Sequence, residues 1–494
     1  MNDWDRLSFL SRGELREIQN RKLRNFIFRQ IYPFSPYYRG LFDQHKIKPK
    51  YIKTVEDLKI VPFTKKEDFF PTQDNPNRFL DFVLQPDEKL IKKYWPKNSL
   101  LWLALLKALK GKKYLKRRME KEYRPIFLTA TTGTTYQPVS FLYSGFDIEN
   151  LRISGYRLLE VFGGGEDIRG VNIFPYAPHL AFWQTVFGGF SHNSFLLSTG
   201  GGKVMGTQGN IEAIAKVRPN ILIGEPNYVY HLIRSARELD KDFSFVQKVA
   251  LGASSIPLGF KEKLAALLKS MGAGHIRIMG TYGFTEAKCA WGECPTALEI
   301  SSGYHTYPDK EIFEVIDPDT GEVKKEGEDG ELVYTSIDAR GSCVLRYRTG
   351  DLVKGGILYT KCPYCKRTVP RISSQITRSS NIRSLELSKI RGALVNLNTF
   401  SSILEAEQSI EEWQVQISKK DNDPYEIDQL AIYLSLAGGV DQQKLKEELS
   451  AKIHSATEVT PNEIIILPRK EMLERVEMET SHKAKRIVDI RPKA

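Results

Sequence analysis

The chain has 494 residues, with 72 Lys plus Arg against 60 Asp plus Glu and a formal net charge of +12. Apolar residues at 41% and charged residues at 27% are ordinary for a globular protein, and the length predicts about three folding units. These values exclude a disordered chain, a collagen-like fibre and a disulfide miniprotein, and leave nucleic acid, an anionic membrane surface or an anionic small molecule to match the charge.

Residues 1–60 read as polar helices, followed by a turn into a short helix. The opening twenty residues mix acids and bases with no long apolar core, which argues against a secretory signal. Five cysteines fit a reducing cytoplasm. No run approaches the ~20 apolar residues that cross a bilayer. The charge is unevenly spread. Lys107 to Arg124 holds nine bases and two acids, a local +7 that leaves +5 for the rest of the chain. The apolar run Leu100–Leu106 leads straight into it, so residues 97–124 read as an apolar and basic insertion. Such a helix lies peripherally in an anionic membrane interface, docks another anionic partner through 107–124 such as an acidic carrier protein or a CoA-bearing acid, or packs its leucines on the body and solvates its lysines. Gly111 is expected to interrupt it.

From about residue 125 short apolar runs alternate with helical stretches. The runs are Ile126–Leu128, Gly170–Phe174, Asn220–Ile223, Lys248–Leu251 and His275–Met279; the helices include Ile211–Val217, Tyr228–Leu239 and Phe260–Met271. Strands alternating with helices predict an α/β fold with a parallel-rich sheet. Residues 310–360 read as a β-rich subdomain, with Asp317-Pro-Asp-Thr-Gly321 as a turn signal. A small α+β unit follows, with strands at Trp413–Ile417 and Ala431–Leu436 and a helix at Gln442–Ser455. The division is a large unit over 1–378 and a small one over 379–494. No interleaved aromatic and basic pattern supports nucleic acid.

Four segments carry chemistry. Phe127-Leu-Thr-Ala-Thr-Thr-Gly-Thr-Thr-Tyr-Gln-Pro138 is a strand running into five threonines around one glycine, whose hydroxyls and backbone N–H groups suit phosphate. It is neither a Walker A loop nor a dinucleotide fingerprint. Alone it is as much a solvated loop as a phosphate site. It is followed by Thr281-Tyr-Gly-Phe-Thr-Glu286, Leu345-Arg-Tyr-Arg-Thr-Gly-Asp351 and the closing Thr480-Ser-His-Lys-Ala-Lys-Arg-Ile-Val-Asp-Ile-Arg491.

In this order the four segments resemble those of the adenylate-forming enzymes, and most of all the phenylacetate–CoA ligase group and the related acyl-protein synthetases, over residues 125–494. The resemblance implies a large adenylating domain and a small mobile lid. It implies ATP-dependent activation of a carboxylic acid as acyl-adenylate, then transfer to a thiol. That thiol is CoA or, as in the acyl-protein synthetases, a carrier protein or protein cysteine. A catalytically impaired, membrane-associated binding homologue is the remaining alternative, and a homodimer is left open.

By resemblance Thr131, Thr132, Gly133, Thr134 and Thr135 hold the phosphates of ATP. Ala253, Ser254, Thr281, Tyr282, Gly283 and Thr285 border the nucleotide, with Tyr282 on the adenine. Asp351 accepts the ribose hydroxyls, Glu286 holds Mg²⁺, and Arg378 marks the hinge. Lys483 is the catalytic lysine, with Lys485 as fallback. Phe174, Tyr176, His179 and Trp183 line the acid pocket beside the turn Gly252–Ser255. Cys294, His305, Cys362 and Cys365 form a set for structural zinc, as in some members of the group, while the Cys362-Pro-Tyr-Cys365 pair read alone is as much a redox-active or idle pair. The chain also departs from the family pattern. Tyr136 and Gln137 stand where the phosphate loop has Gly and Lys, His482 precedes the lysine where Gly is usual, and Ser380 and Asn381 replace the hinge acids.

Overall fold

A computed structural model of the chain describes residues 3–131, 139–165, 167–176, 179–254, 256–378, 387–390, 393–422, 428–457, 459–480 and 484–491. Its centre is a nine-stranded sheet. Phe195–Ser198, Arg169–Asn172, Ile221–Gly224, Lys248–Leu251 and Arg277–Phe284 lie side by side and parallel. The sheet then turns antiparallel through Cys289–Gly292, Tyr304–His305, Arg371–Ile372 and Ile357–Leu358.

Side chains alternate across a strand, so an unbroken apolar run feeds two cores at once. Leu222, Val249, Leu251 and Ile278 face helices Pro226–Glu238 and Leu258–Ser270. Their neighbours Ile223, Ala250 and Met279 face Leu158, Phe162 and Phe182 on helices Gly145–Val161 and Leu180–Ser191 and at their ends. This is the predicted α/β pattern, covered on both faces.

A second, four-stranded antiparallel sheet joins Glu311–Ile316, Gly330–Ser336, Tyr347–Val353 and Ile376–Arg378. It shares a core with the N-terminal helices, among them Arg12–Phe26, which starts on a capping box between Ser11 and Glu14. The predicted turn forms because Asp317 Oδ1 accepts from the backbone of Asp319 and Thr320, both at 3.0 Å. Pro125–Ala130 and Ser140–Ser144 pair as an antiparallel hairpin. The insertion forms the helix Lys97–Tyr123, broken at Gly111, whose φ of 83° is open to glycine and strained for other residues.

The small unit has its own core around Trp413, Val415, Ile432, Leu434 and Leu449 and a four-stranded mixed sheet. It touches the large unit through polar contacts. Thr207 donates to Glu479 at 2.7 Å, Lys263 to the Glu407 carbonyl at 2.7 Å, and Arg486 to Asn227 at 3.1 Å. Arg469 pairs with Glu238.

Candidate active site

The second and third motifs meet through their side chains. Thr281, Tyr282 and Gly283 continue the strand Arg277–Phe284, because Cys289–Gly292 returns antiparallel beside them. Glu286 follows in the 3-10 turn Thr285–Ala287, closed by Lys288 in the left-handed region at φ 60°. Across from them runs the strand Tyr347–Val353. Tyr282 donates its hydroxyl to Asp351 Oδ2 at 2.7 Å, and Tyr347 donates to Glu286 Oε1 at 2.7 Å. Both carboxylates are buried, and charged acceptors make the stronger hydrogen bonds. The Tyr282 ring packs beside Trp291 and Tyr304 at 5.8 and 5.7 Å. The same motif anchors the strand on its other side, where Arg346 forks onto Glu314 with two contacts of 3.1 Å.

Lys288 carries the turn into the interior. Its ammonium meets Asp147 at 2.6 Å, and Asp147 also accepts from the Gly341 amide at 2.6 Å and from Ser144. Burial by itself raises that carboxyl; the Lys288 charge and these hydrogen bonds overcome it and hold the group below the ordinary carboxylate range.

Gly252 lies under the strand that carries Thr281. A Cβ there would sit 2.1 Å from Thr281 Oγ1, which donates to the Leu251 carbonyl at 3.0 Å, so only glycine fits. Ala253 follows at φ +74°, a left-handed position that costs a non-glycine residue about 1–3 kcal/mol and recurs at ligand clamps. Ser254 is part-buried, and Ser255 lies outside the described residues. Of the threonine loop, Thr131 closes the base. Its amide donates to the Val139 carbonyl, and its hydroxyl accepts from the Val139 amide, both at 3.0 Å. Thr132, Gly133, Thr134, Thr135, Tyr136 and Gln137 lie outside the described residues, as do Ser380, Asn381, His482 and Lys483. The backbone of Arg378 is in register with Asp351.

A cleft opens between the two units. Ile173, Pro175, Gly201, Gly202, Lys203, Glu225 and Tyr228 line it from the large unit; Met478, Glu479 and Ala484 line it from the small one. Ala484 is the residue after Lys483. Lys485 pairs with Glu477. The predicted pocket residues Phe174, Tyr176, His179 and Trp183 are not part of this lining. Alternation at the end of the strand turns Ile173 and Pro175 to the cleft, while Phe174 joins the core with Phe182 and Met279. Trp183 stands in an aromatic row with Tyr176, Phe127 and Phe187, at 5.2 to 6.1 Å between rings. Lys203, on the helix Gly202–Val217, and Glu225 and Tyr228, at the start of the helix Pro226–Glu238, went unread as site residues because the two helix starts share no motif. Glu225 is visible only as a helix cap, accepting from the Tyr228 amide at 3.0 Å ahead of Pro226.

The four predicted soft ligands do converge. One donor atom each from Cys294, His305, Cys362 and Cys365 lies within 4.8 Å of the others. Cys294 and Cys362 sulfurs are 3.8 Å apart, and Cys365 Sγ is 3.2 Å from His305 Nε2. Zinc–sulfur bonds of about 2.3 Å at a tetrahedral angle put two sulfurs about 3.8 Å apart. His305 Nδ1 sits 3.3 Å from the Gly292 carbonyl, the second contact that fixes a ligating imidazole. Shared thiol protons hold Cys365 down toward thiolate and Cys294 up as a thiol.

Comparison with known proteins matches residues 171–342 to the AMP-binding enzyme family. The phenylacetate-coenzyme A ligase of Thermus thermophilus is 25% identical over 76% of this chain and 73% of its own length. That of Aromatoleum evansii is 24% identical over 99% of this chain and 98% of its own. Among solved structures, 2-hydroxyisobutyryl-CoA ligase in the postadenylation state with 2-HIB-AMP shares the fold at a TM-score of 0.73 and 17% identity. It covers 99% of this chain and 92% of that one. The chain thus shares the fold of this ligase and carries an AMP-binding enzyme segment of the adenylate-forming class over residues 171–342. Within that class the chain is phenylacetate–CoA ligase-like, an AMP-forming acid–thiol ligase.

Proposed function

We propose that the protein activates an aromatic or otherwise hydrophobic carboxylic acid with ATP and passes the acyl group to the thiol of coenzyme A. In the first step a carboxylate oxygen forms a bond to the α-phosphorus of ATP as the bond to pyrophosphate breaks. In the second the CoA thiolate forms the C–S bond and AMP leaves with that oxygen. The observation that supports this reading is the pair of cross-links Tyr282–Asp351 and Tyr347–Glu286, which join the two segments read as nucleotide-binding. The acceptor is read as CoA because the similar curated proteins are named coenzyme A ligases.

The division of labour follows from charge. Asp351 is an acceptor for the two ribose hydroxyls, and Tyr282 orients it while its ring borders the adenine. Thr131 and the loop after it supply donors to the β- and γ-phosphates. Glu286, a hard oxygen donor oriented by Tyr347, would hold Mg²⁺, which when bound offsets phosphate charge. Lys483, beside the cleft-lining Ala484, brings an ammonium to the α-phosphate, where negative charge grows. Ala253, Ser254, Gly283 and Thr285 complete the nucleotide wall. The acid enters between Ile173, Pro175 and Gly201, with Trp183, Tyr176, Phe174 and His179 behind. Arg378 belongs to the hinge between a large domain ending at 378 and a lid from 379. Cys294, His305, Cys362 and Cys365 would hold a zinc ion as a closed, structural set.

The test supplies the purified chain with ATP, Mg²⁺ and a panel of aromatic and aliphatic acids, with and without CoA. Acid-dependent pyrophosphate release and a CoA thioester support the reading. Formation of ADP in place of AMP, or turnover unchanged by both Asp351→Asn and Lys483→Ala, overturns it. Acid-dependent release with no CoA thioester moves the acceptor to another thiol.

A further inference from the structure

The basic insertion takes no part in this chemistry, yet it has a defined shape. Its two ends are clamped together: Trp95 and Tyr123 both pack on Phe34, at 5.9 and 6.0 Å between rings. Trp95 also donates to the Arg29 carbonyl, Tyr123 to Gln30 at 2.8 Å, and Arg340 binds Glu122 at 2.9 Å. Farther out the Arg118 guanidinium lies 4.8 Å from the Trp102 ring. An unbroken helix would hold those two residues about 24 Å apart. The helix therefore doubles back at Gly111 into a two-armed hairpin rooted in the large unit.

The first arm bears an uncovered apolar face. Leu101, Leu105 and Leu109 recur every four residues and are 70%, 55% and 72% exposed, with Trp102 beside them at 47%. Leu103, Leu106, Leu115 and Met119 are half-buried, and Tyr123 is the hairpin's buried residue. Lys112, Lys113, Lys116, Arg117, Arg118 and Lys121 on the second arm are exposed. Residues 97–124 together hold ten bases and two acids. A contiguous apolar stripe on a water-soluble surface marks an interaction site.

The charge selects its occupant. A second copy meeting this face would bring two strongly cationic hairpins together, at an electrostatic cost. An acidic protein matches the lysines and leaves the leucines unexplained. An anionic bilayer satisfies both, since apolar side chains enter the headgroup–acyl boundary and bases meet lipid phosphate. The first arm, Lys97 to Lys110, is about 21 Å long against a hydrocarbon core of about 30 Å, so it lies in the interface and does not span. Among the described residues no helix is long and apolar enough to cross a membrane.

We propose that the 97–123 hairpin docks the enzyme on an anionic membrane surface, with Leu101, Trp102, Leu105 and Leu109 embedded and the second arm's bases on the headgroups. Vesicle co-sedimentation of the full chain tests it, comparing phosphatidylcholine with and without phosphatidylglycerol at low and high salt. Wild type should pellet with the anionic vesicles, less so at high salt. Leu101→Ser/Leu105→Ser/Leu109→Ser should lower the partition by about a hundredfold, and Lys112→Gln/Lys113→Gln/Lys116→Gln/Arg117→Gln by more than about tenfold. Both variants should keep their pyrophosphate-releasing activity in solution, which excludes misfolding as the cause. Absence of wild-type binding to any vesicle overturns the proposal. So does full binding by the serine variant, which means adsorption by charge alone. Self-association that the serine variant abolishes, without lipid binding, assigns the face to a second copy and also overturns it.

Discussion

Replacing Lys288 by Met strips the cation from a buried pair while filling nearly the same volume. Both side chains are almost sealed, at 7% and 3% exposure. The partner left behind, Asp147, keeps its charge-favouring bonds to Ser144 and to the Gly341 amide. Breaking one side of such a pair costs about 3–5 kcal/mol, because the remaining ion is buried and uncompensated. The pH dependence has a definite sign. In the wild type the Asp147 pKa is depressed, so its contribution is present above the unfolded value of about 3.9 and is lost as pH falls through the lower folded value. In Lys288→Met burial raises that pKa instead, so the deficit is full near pH 8 and shrinks as acid neutralises the carboxyl toward pH ~5. Urea unfolding of the single variants and of Asp147→Asn/Lys288→Met, at both pH values, measures it. The double variant should recover more than half of the loss. A deficit under about 1 kcal/mol in Lys288→Met, or one that grows on acidification, refutes the reasoning.

Two further outcomes are expected. The purified protein should carry one zinc ion per chain by elemental analysis. Cys362→Ser or Cys365→Ser should lose it and lower the unfolding midpoint by more than about 4 °C; metal-free protein with an unchanged midpoint contradicts the site. Asp351→Asn removes an ionised acceptor worth about 1.5–3 kcal/mol, so KM for ATP should rise by roughly tenfold to hundredfold, against a smaller rise for Tyr282→Phe, as steady-state kinetics would measure. Equal effects on KM for the acid would assign Asp351 elsewhere.

Much of the fold was legible because buried parallel strands are unbroken apolar runs. Lys248–Leu251 was read to the residue, and the helix expected at Gln442–Ser455 runs from Gln442 to Thr457. The strand expected to end at Met279 continues to Phe284, because the antiparallel partner Cys289–Gly292 pairs with residues whose local pattern reads as a turn. The edge strand Phe195–Ser198 was missed; at four residues it gives too little pattern. At the site, the family resemblance singled out Tyr282, Glu286 and Asp351 but gave no hint that the hydroxyls of Tyr282 and Tyr347 would meet the two carboxylates. The convergence of Cys294 and His305 on Cys362 and Cys365 depends on the short strands Tyr304–His305 and Arg371–Ile372, whose pairing is a tertiary property. The cleft lining is harder still, since Lys203, Glu225 and Glu479 meet only when the two units dock.

The most direct test follows one atom. An acid that supports turnover is supplied with ¹⁸O in its carboxylate, together with ATP and CoA, and the AMP is analysed by mass spectrometry. Attack of the carboxylate on the α-phosphorus predicts one ¹⁸O in each AMP and none in pyrophosphate. Unlabelled AMP, or label recovered in inorganic phosphate beside ADP, would contradict an acyl-adenylate and with it the central claim.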